Sequence, residues 1–261
     1  MTVSGERRPR RSRASRALRN RVHRVLRRLG VVVTRYDPRP LEMRRRLDLI
    51  WDRDVNVVLE VGANAGGFSR RLRADGYRGR IVSFEPTEEA FASLAAACAS
   101  DPAWECMRKA LGSSNGTATL NIAGNNSMSS SILEMLPRHV AAAPRSSYVR
   151  TETCEVVTLD SLRGDLLGEA DRALLKLDVQ GFELEVLRGA DATLAHVVAI
   201  DAELSFVPLY EGAPTVDEVV AYLDERGFGL VGIEPYFFEK GTGRILQING
   251  LFAQIGATDA Y

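Results

Sequence analysis

The sequence predicts an α/β fold built on a mainly parallel sheet. Short apolar runs, the first at residues 57–61, alternate with stretches of helical periodicity along most of the chain. The first run leads straight into a glycine-rich turn followed by a helix, the local form of a strand–loop–helix unit. Composition agrees: of 261 residues 45% are hydrophobic and 26% charged, with 22 Gly, 10 Pro and 3 Cys, which argues against a disordered chain, a collagen-like repeat or a disulfide scaffold.

Taken in order, the elements follow from pattern and punctuation. After Pro38 and Pro40, residues 41–51 read as a short helix. Residues 57–61 form a buried strand, 66–74 a helix, 81–84 a strand and 87–100 an alanine-rich helix. A third strand is expected at 106–110, with further strands at 117–122, 154–158, 173–177, 196–203, 229–233 and 245–254. Helices fall near 182–187 and 215–226, and a polar loop runs through Asn125 and Ser131. No internal repeat interrupts the series. In sheets of this kind ligands bind beyond the carboxyl ends of the strands.

The neutral total charge hides an asymmetry. Residues 1–36 hold twelve arginines, from Arg7 to Arg35, against one acid, Glu6, so this arm carries +11 and the rest of the chain −11. Ala14, Ala17, Leu18, Val22, Val25, Leu26 and Leu29 recur at three- and four-residue steps, which predicts an amphipathic helix ending near Gly30. Three roles compete for it: docking on the domain, lying on an anionic membrane, or gripping nucleic acid. The last is disfavoured because no aromatic precedes Tyr36 for base stacking. The expected organisation is a basic arm over residues 1–40 and one domain over residues 41–261. Cys98, Cys106 and Cys154 lack metal or redox spacing and read as buried free thiols. No apolar run reaches membrane-spanning length and no signal-peptide pattern opens the chain, so a cytoplasmic protein, peripheral to a membrane if the arm binds lipid, is the expectation.

The strand at 57–61 ends in Glu60-Val61-Gly62-Ala63-Asn64-Ala65-Gly66. A phosphate loop would need Gly-Lys-Ser/Thr, and a dinucleotide loop would have glycine where Asn64 stands. Glu60 would repel a diphosphate but suits an ammonium group. Glu85, after the second strand, falls where an acid accepts hydrogen bonds from ribose hydroxyls. The pattern asks for a nucleoside with a cationic, amino-acid-like tail, and S-adenosylmethionine meets that description.

Four stretches carry a resemblance: Leu59-Glu60-Val61-Gly62-Ala63-Asn64-Ala65-Gly66, Ser83-Phe84-Glu85-Pro86, Lys109-Ala110-Leu111-Gly112, and Leu175-Lys176-Leu177-Asp178-Val179-Gln180-Gly181-Phe182-Glu183. With Glu203-Leu204-Ser205 and Leu209-Tyr210-Glu211-Gly212, they make residues 56–252 resemble the FkbM-type S-adenosylmethionine-dependent methyltransferases. The resemblance implies the class I methyltransferase Rossmann-like fold, a mainly parallel seven-stranded sheet with helices on both faces. It also implies O-methylation of a hydroxyl on a sugar, glycolipid or polyketide-type metabolite. By position, Glu60, Gly62, Ala63, Asn64 and Gly66 would cradle the methionine part, Glu85 and Pro86 the ribose, and Ala110, at the end of the third strand, the adenine. An RNA methyltransferase that uses the basic arm and a non-catalytic S-adenosylmethionine-binding module are the alternatives.

On the acceptor side, Asp178 ends the strand at 173–177 and is the first candidate for base or hydroxyl orienter, with Lys176 pointing to the same side. Glu203 ends the next strand, so Asp178 and Glu203 are expected side by side, with one pKa raised or with Mg2+ between them, although no third ligand suggests itself. His139 is a second candidate base, in a Ser- and Asn-rich stretch, residues 126–144, that could fold over the site as a lid. His23 belongs to the polar surface of the arm, and His196 reads as a core residue at a strand start.

Overall fold

The chain divides at Pro40 into two units, and the computed structural model describes residues 41–255, all within the second. The expectations for the basic arm, Arg7 to Arg35 and His23 included, lie outside the described residues. Helix α1 (Leu41–Asp52) precedes β1 (Val57–Val61), α2 (Gly67–Ala74), β2 (Arg80–Phe84), α3 (Glu88–Cys98) and β3 (Trp104–Met107). Then come β4 (Ala110–Leu111), β5 (Gly116–Ala123), α4 (Pro137–Ala142) and β6 (Tyr148–Val157). The remainder is α5 (Leu159–Leu166), β7 (Ala173–Leu177), α6 (Glu183–Arg188), β8 (Val197–Ser205), α7 (Val216–Asp224), β9 (Phe228–Phe238) and β10 (Ile245–Gln254).

Seven strands form one sheet in the order β3-β2-β1-β7-β8-β10-β9. The first five run parallel, and β10 pairs antiparallel with both β8 and β9. The central strands are buried from end to end, as strands covered on both faces must be. Because successive side chains alternate in direction, each strand feeds two cores. Val57, Leu59 and Leu175 pack with Leu159, Val186 and Leu223 of α5, α6 and α7. Val58 and Leu174 pack with Leu47, Leu72 and Leu94 of α1, α2 and α3. Helices therefore cover both faces of the expected seven-stranded sheet.

The structure departs from the sequence expectation in several places. Residues 106–110 are not one strand: β3 stops at Met107 and Ala110 opens β4, which joins β6 and β5 in a separate three-stranded sheet. The strands expected at 117–122 and 154–158 belong to that second sheet, around its own small core of Leu120, Ile122 and Val156. Periodicity records that a segment is extended and half-buried, not which sheet receives it. His196 does not begin β8 but closes a 3-10 turn, half-buried and 3.5 Å from the Arg163 guanidinium. The three cysteines are free, and only Cys154 is fully buried.

Candidate active site at the carboxyl ends of the central strands

A polar row crosses the four central strands of the sheet. In register on β2, β1, β7 and β8 stand Ser83, Glu60, Lys176 and Asp201, all buried. Ser69 of α2 and Ser83 each donate to Glu60 Oε2 at 2.5 Å. Among the described residues no hydrogen-bond donor reaches Glu60 Oε1. Burial pushes the Glu60 carboxyl up to about 7, the two serines and Lys176 opposing the shift. Arg46 of α1 pairs with Asp201. Lys176 Nζ lies 3.8 Å from Asp201 Oδ1 and 3.8 Å from Asp178 Oδ2. Burial works against its charge, but Asp201, Asp178 and Glu203 hold its pKa above the ordinary lysine value. On β1 and β7 the row shows in the sequence as one charged residue inside an apolar run, a signal the sequence reading used for Glu60 and Lys176; on β8 it used Glu203 and overlooked Asp201.

Beyond the row, at the strand ends, a cavity of about 290 Å³ opens. The turn after β1 forms its floor. Gly62 has φ +81°, and a Cβ there would stand 1.9 Å from the Asp178 carbonyl oxygen, so only glycine lets β1 and β7 end this close together. Asn64 is also left-handed, at φ 47°. Its backbone N–H donates to Glu85 Oε2 at 2.7 Å and its side-chain amide to the Asn126 carbonyl at 3.0 Å. Glu85 Oε1 accepts from the Thr87 N–H and hydroxyl at 2.9 and 2.6 Å. A carboxylate has about four acceptor positions. Three are taken here, leaving one on Oε2, and burial raises the Glu85 pKa against those three hydrogen bonds.

Glu60, Gly62, Ala63, Asn64, Glu85, Pro86, Ala110 and Asp178 all line the cavity. Gly66 does not: its φ is +79° and a Cβ there would meet the Trp104 ring at 2.9 Å, so its part is to start α2 against β3. Ala110 reaches the cavity although β3 has ended, because β4 returns along its wall. His139 is buried away from the lining, edge-on to Tyr210 at 5.1 Å and beside Phe237 at 5.4 Å. Its Nδ1 has no partner and burial pushes its pKa down to about 4. It is a core residue, and a base role does not fit its position. Of the stretch 126–144, expected as a lid, Ser127, Met128, Ser130, Ser131 and Ile132 line the cavity, while α4, which carries His139, packs in a separate apolar cluster.

Glu203 also stands off the lining. It lies behind Gln180, whose Nε2 donates to Asp178 Oδ1 and to Glu203 Oε2 at 2.8 Å each. Gln247 Nε2 donates to Glu203 Oε2 at 3.0 Å and the Tyr236 hydroxyl bonds Oε1. Burial, then Asp178 and Glu183, hold the Glu203 pKa well above the carboxylate range. The expected neighbourhood of Asp178 and Glu203 is present, but an amide occupies the place considered for Mg2+, and among the described residues no group of three or more His, Cys, Asp or Glu side chains is arranged to hold a metal ion. Gln180, Tyr210, Tyr236 and Gln247 are the residues that sequence reasoning missed as site components. Only Gln180, at φ +54° just before Gly181, had a local signal.

Among the lining residues, Glu60, Glu85 and Asp178 face two lysines, of which Lys176 is shared with Asp201 and Lys109 is paired with Glu155 at 2.5 Å. The walls thus suit a ligand of net positive charge. Against known families, the methyltransferase FkbM domain matches residues 60–230. The chain belongs to the FkbM methyltransferase family. Its seven-stranded α/β fold is that of the class I methyltransferases. The family implies S-adenosylmethionine, and the residues present fit it: net charge +1 from the sulfonium, an α-ammonium group for Glu60 Oε1, and ribose hydroxyls for the open position on Glu85.

Solved structures similar to the chain include a methyltransferase FkbM from Methylobacillus flagellatus KT, at 12% identity and TM-score 0.47, with 76% of this chain and 44% of that chain covered. An rRNA methylase from Streptococcus thermophilus shares 10% identity at TM-score 0.46, covering 84% of this chain and 100% of that one. A precorrin-6y C5,15-methyltransferase from Geobacter metallireducens GS-15 shares 12% at TM-score 0.41, covering 85% and 94%. The chain thus spans less than half the length of the Methylobacillus FkbM protein. No curated protein sequence matches it. No helix among the described residues is long and apolar enough to cross a membrane.

Proposed function

We propose that this methyltransferase transfers the methyl group of S-adenosylmethionine to a hydroxyl oxygen of a sugar, glycolipid or polyketide-type acceptor. The observation that carries the reading is Asp178, a carboxylate with 40% of its side chain exposed at the inner edge of the cavity. One of its oxygens is held by Gln180, and no hydrogen-bond donor of the described residues reaches the other.

Bound S-adenosylmethionine supplies an electrophilic methyl group on a sulfonium. The residues of the chain have three tasks around it. Glu60 and Glu85 hold the two ends of the cofactor by charge and hydrogen bonding. Asp178 Oδ2 would accept the hydrogen bond of the acceptor hydroxyl and take its proton as the oxygen–carbon bond forms and the methyl–sulfur bond breaks, with Lys176, 3.8 Å away, balancing the carboxylate charge beforehand. Leu120, Met128 and Ile132 beside Ser127, Ser130 and Ser131 offer an apolar wall edged with hydroxyls, which matches the two-sided polarity of a sugar ring.

The test is transfer of tritiated methyl from S-adenosylmethionine to a panel of glycosides, glycolipids and hydroxylated polyketides, with total RNA as a further acceptor. The expected product is a base-stable methyl ether. Label on RNA, or on a nitrogen, overturns the reading.

A further inference from the structure

We propose that Gln180 is a positioning residue for methyl transfer: its side-chain amide, locked by Tyr210, fixes the rotamer of Asp178 and leaves one oxygen of that carboxylate for the acceptor. The inference rests on the role given above to Asp178.

The geometry constrains Gln180 from three sides. Its Oε1 accepts from the Tyr210 hydroxyl at 2.6 Å, and Tyr210 is fully buried, so this donor cannot turn away to water. Its Nε2 then faces Asp178 Oδ1 and Glu203 Oε2, both at 2.8 Å. Asp178 Oδ1 and Glu203 Oε2 both stand as acceptors of this one nitrogen, and a primary amide brings a hydrogen to each without adding charge. The reversed amide would set an oxygen against both acids and leave the Tyr210 hydroxyl only its longer contact, the Ser129 carbonyl at 3.4 Å. The backbone is tied as well, since Ser131 Oγ donates to the Gln180 carbonyl at 2.8 Å, which links the clamp to the lid residues on the cavity wall.

Asp178 itself sits on the turn after β7, where its own N–H donates to the Val61 carbonyl. Among the described residues its carboxylate is otherwise paired only with Lys176, at 3.8 Å, too long for a directional bond. Gln180 is thus the side chain that decides which way the carboxylate faces. A displacement of about 1 Å in such a group costs on the order of 100-fold in rate.

The experiment compares wild type with Gln180→Met, Gln180→Glu and Tyr210→Phe. In the crystal structure of Gln180→Met the Asp178 carboxylate is expected in a different rotamer, and this readout needs neither cofactor nor acceptor. On the hydroxyl acceptor found in the panel, Gln180→Met should lower kcat roughly 100-fold while the KM for S-adenosylmethionine stays within about threefold. Gln180→Glu should be inactive at high pH and recover as pH falls, because only a neutral carboxyl can donate to Asp178 or Glu203. The groups facing that position are Asp178, Glu203, Glu183, Lys176 and Tyr210, and the Glu203 carboxyl, held well above the carboxylate range, takes part in the same titration. Tyr210→Phe, which keeps the packing and frees the amide, should lower kcat about tenfold and serves if Gln180→Met does not fold. Asp178 unmoved in the Gln180→Met crystal, or kcat within twofold of wild type, overturns the proposal. If the wild type methylates no hydroxyl, the proposed function fails, and the crystal structure still decides the role of Gln180.

Discussion

The two halves of the cavity are built in opposite ways. The half proposed for the cofactor is assembled from chain neighbours: Glu60, Gly62 and Asn64 from one strand–turn unit and Glu85 from the next. The half proposed for the acceptor gathers Leu120, Ser127, Met128, residues 130–132, Asp178 and Gln180, held from behind by Glu203, Tyr210, Tyr236 and Gln247. In the first half a backbone conformation is the critical feature, in the second a hydrogen-bond network between distant strands. Substitutions should separate the two, the first half failing through folding and binding and the second through turnover.

The largest effect is expected from Gly62→Ala. Its Cβ would collide with the Asp178 carbonyl at a left-handed φ, so a loss of stability on the order of 4 kcal/mol is expected, read by urea unfolding, together with loss of S-adenosylmethionine binding. A stable, binding Gly62→Ala protein would show that the approach of β1 and β7 is not needed. Next comes Asp178→Asn, which keeps the shape and removes the proton acceptor. A fall in kcat of about 10²–10⁴-fold is expected with cofactor affinity retained, and lost affinity with retained kcat would move Asp178 into the cofactor half. Glu85→Ala should weaken S-adenosylmethionine roughly 10–100-fold in a calorimetric titration that NAD does not disturb, as expected for a charged hydrogen-bond partner. Displacement of the ligand by NAD would mean that the loop is of the dinucleotide type.

The smallest effect concerns His139, behind the acceptor half. Above about 6.5 its ring is neutral in the native and unfolded chains alike. Between 6.5 and about 4 the unfolded chain binds the proton and the native one does not, so native stability falls as pH drops through this window. His139→Phe removes that contribution, and the Tm difference between variant and wild type should widen from about pH 7 down to pH 4. An unchanging difference would mean that His139 reaches solvent.

The same contrast explains what could be read in advance. Glu60, Gly62 and Glu85 were legible because their spacing lies within single strand–turn units, where a positive φ or a strand-end acid has a local signature. Asp178 was legible as the end of an apolar run. Glu203 was found on the same ground but misplaced, since strand ends fix a level on the sheet and not which side chain intervenes; the intervening one is Gln180. His139 was misread because a polar stretch looks like a lid whether its histidine faces the cavity or the core.

The sequence by itself determined the alternation of strands and helices, the burial of the central strands, the strand-end position of the cofactor loop and the family. These depend on period and on contacts between near neighbours in the chain. The tertiary structure alone decided that residues 116–123 and 148–157 leave the main sheet for a second one, that Asp201 and Arg46 meet across it, and that Gln180 separates two carboxylates under the lock of Tyr210. Such pairings join residues tens to hundreds of positions apart, and each side chain acquires its partner only when the packing of both strands and the loops between them is complete.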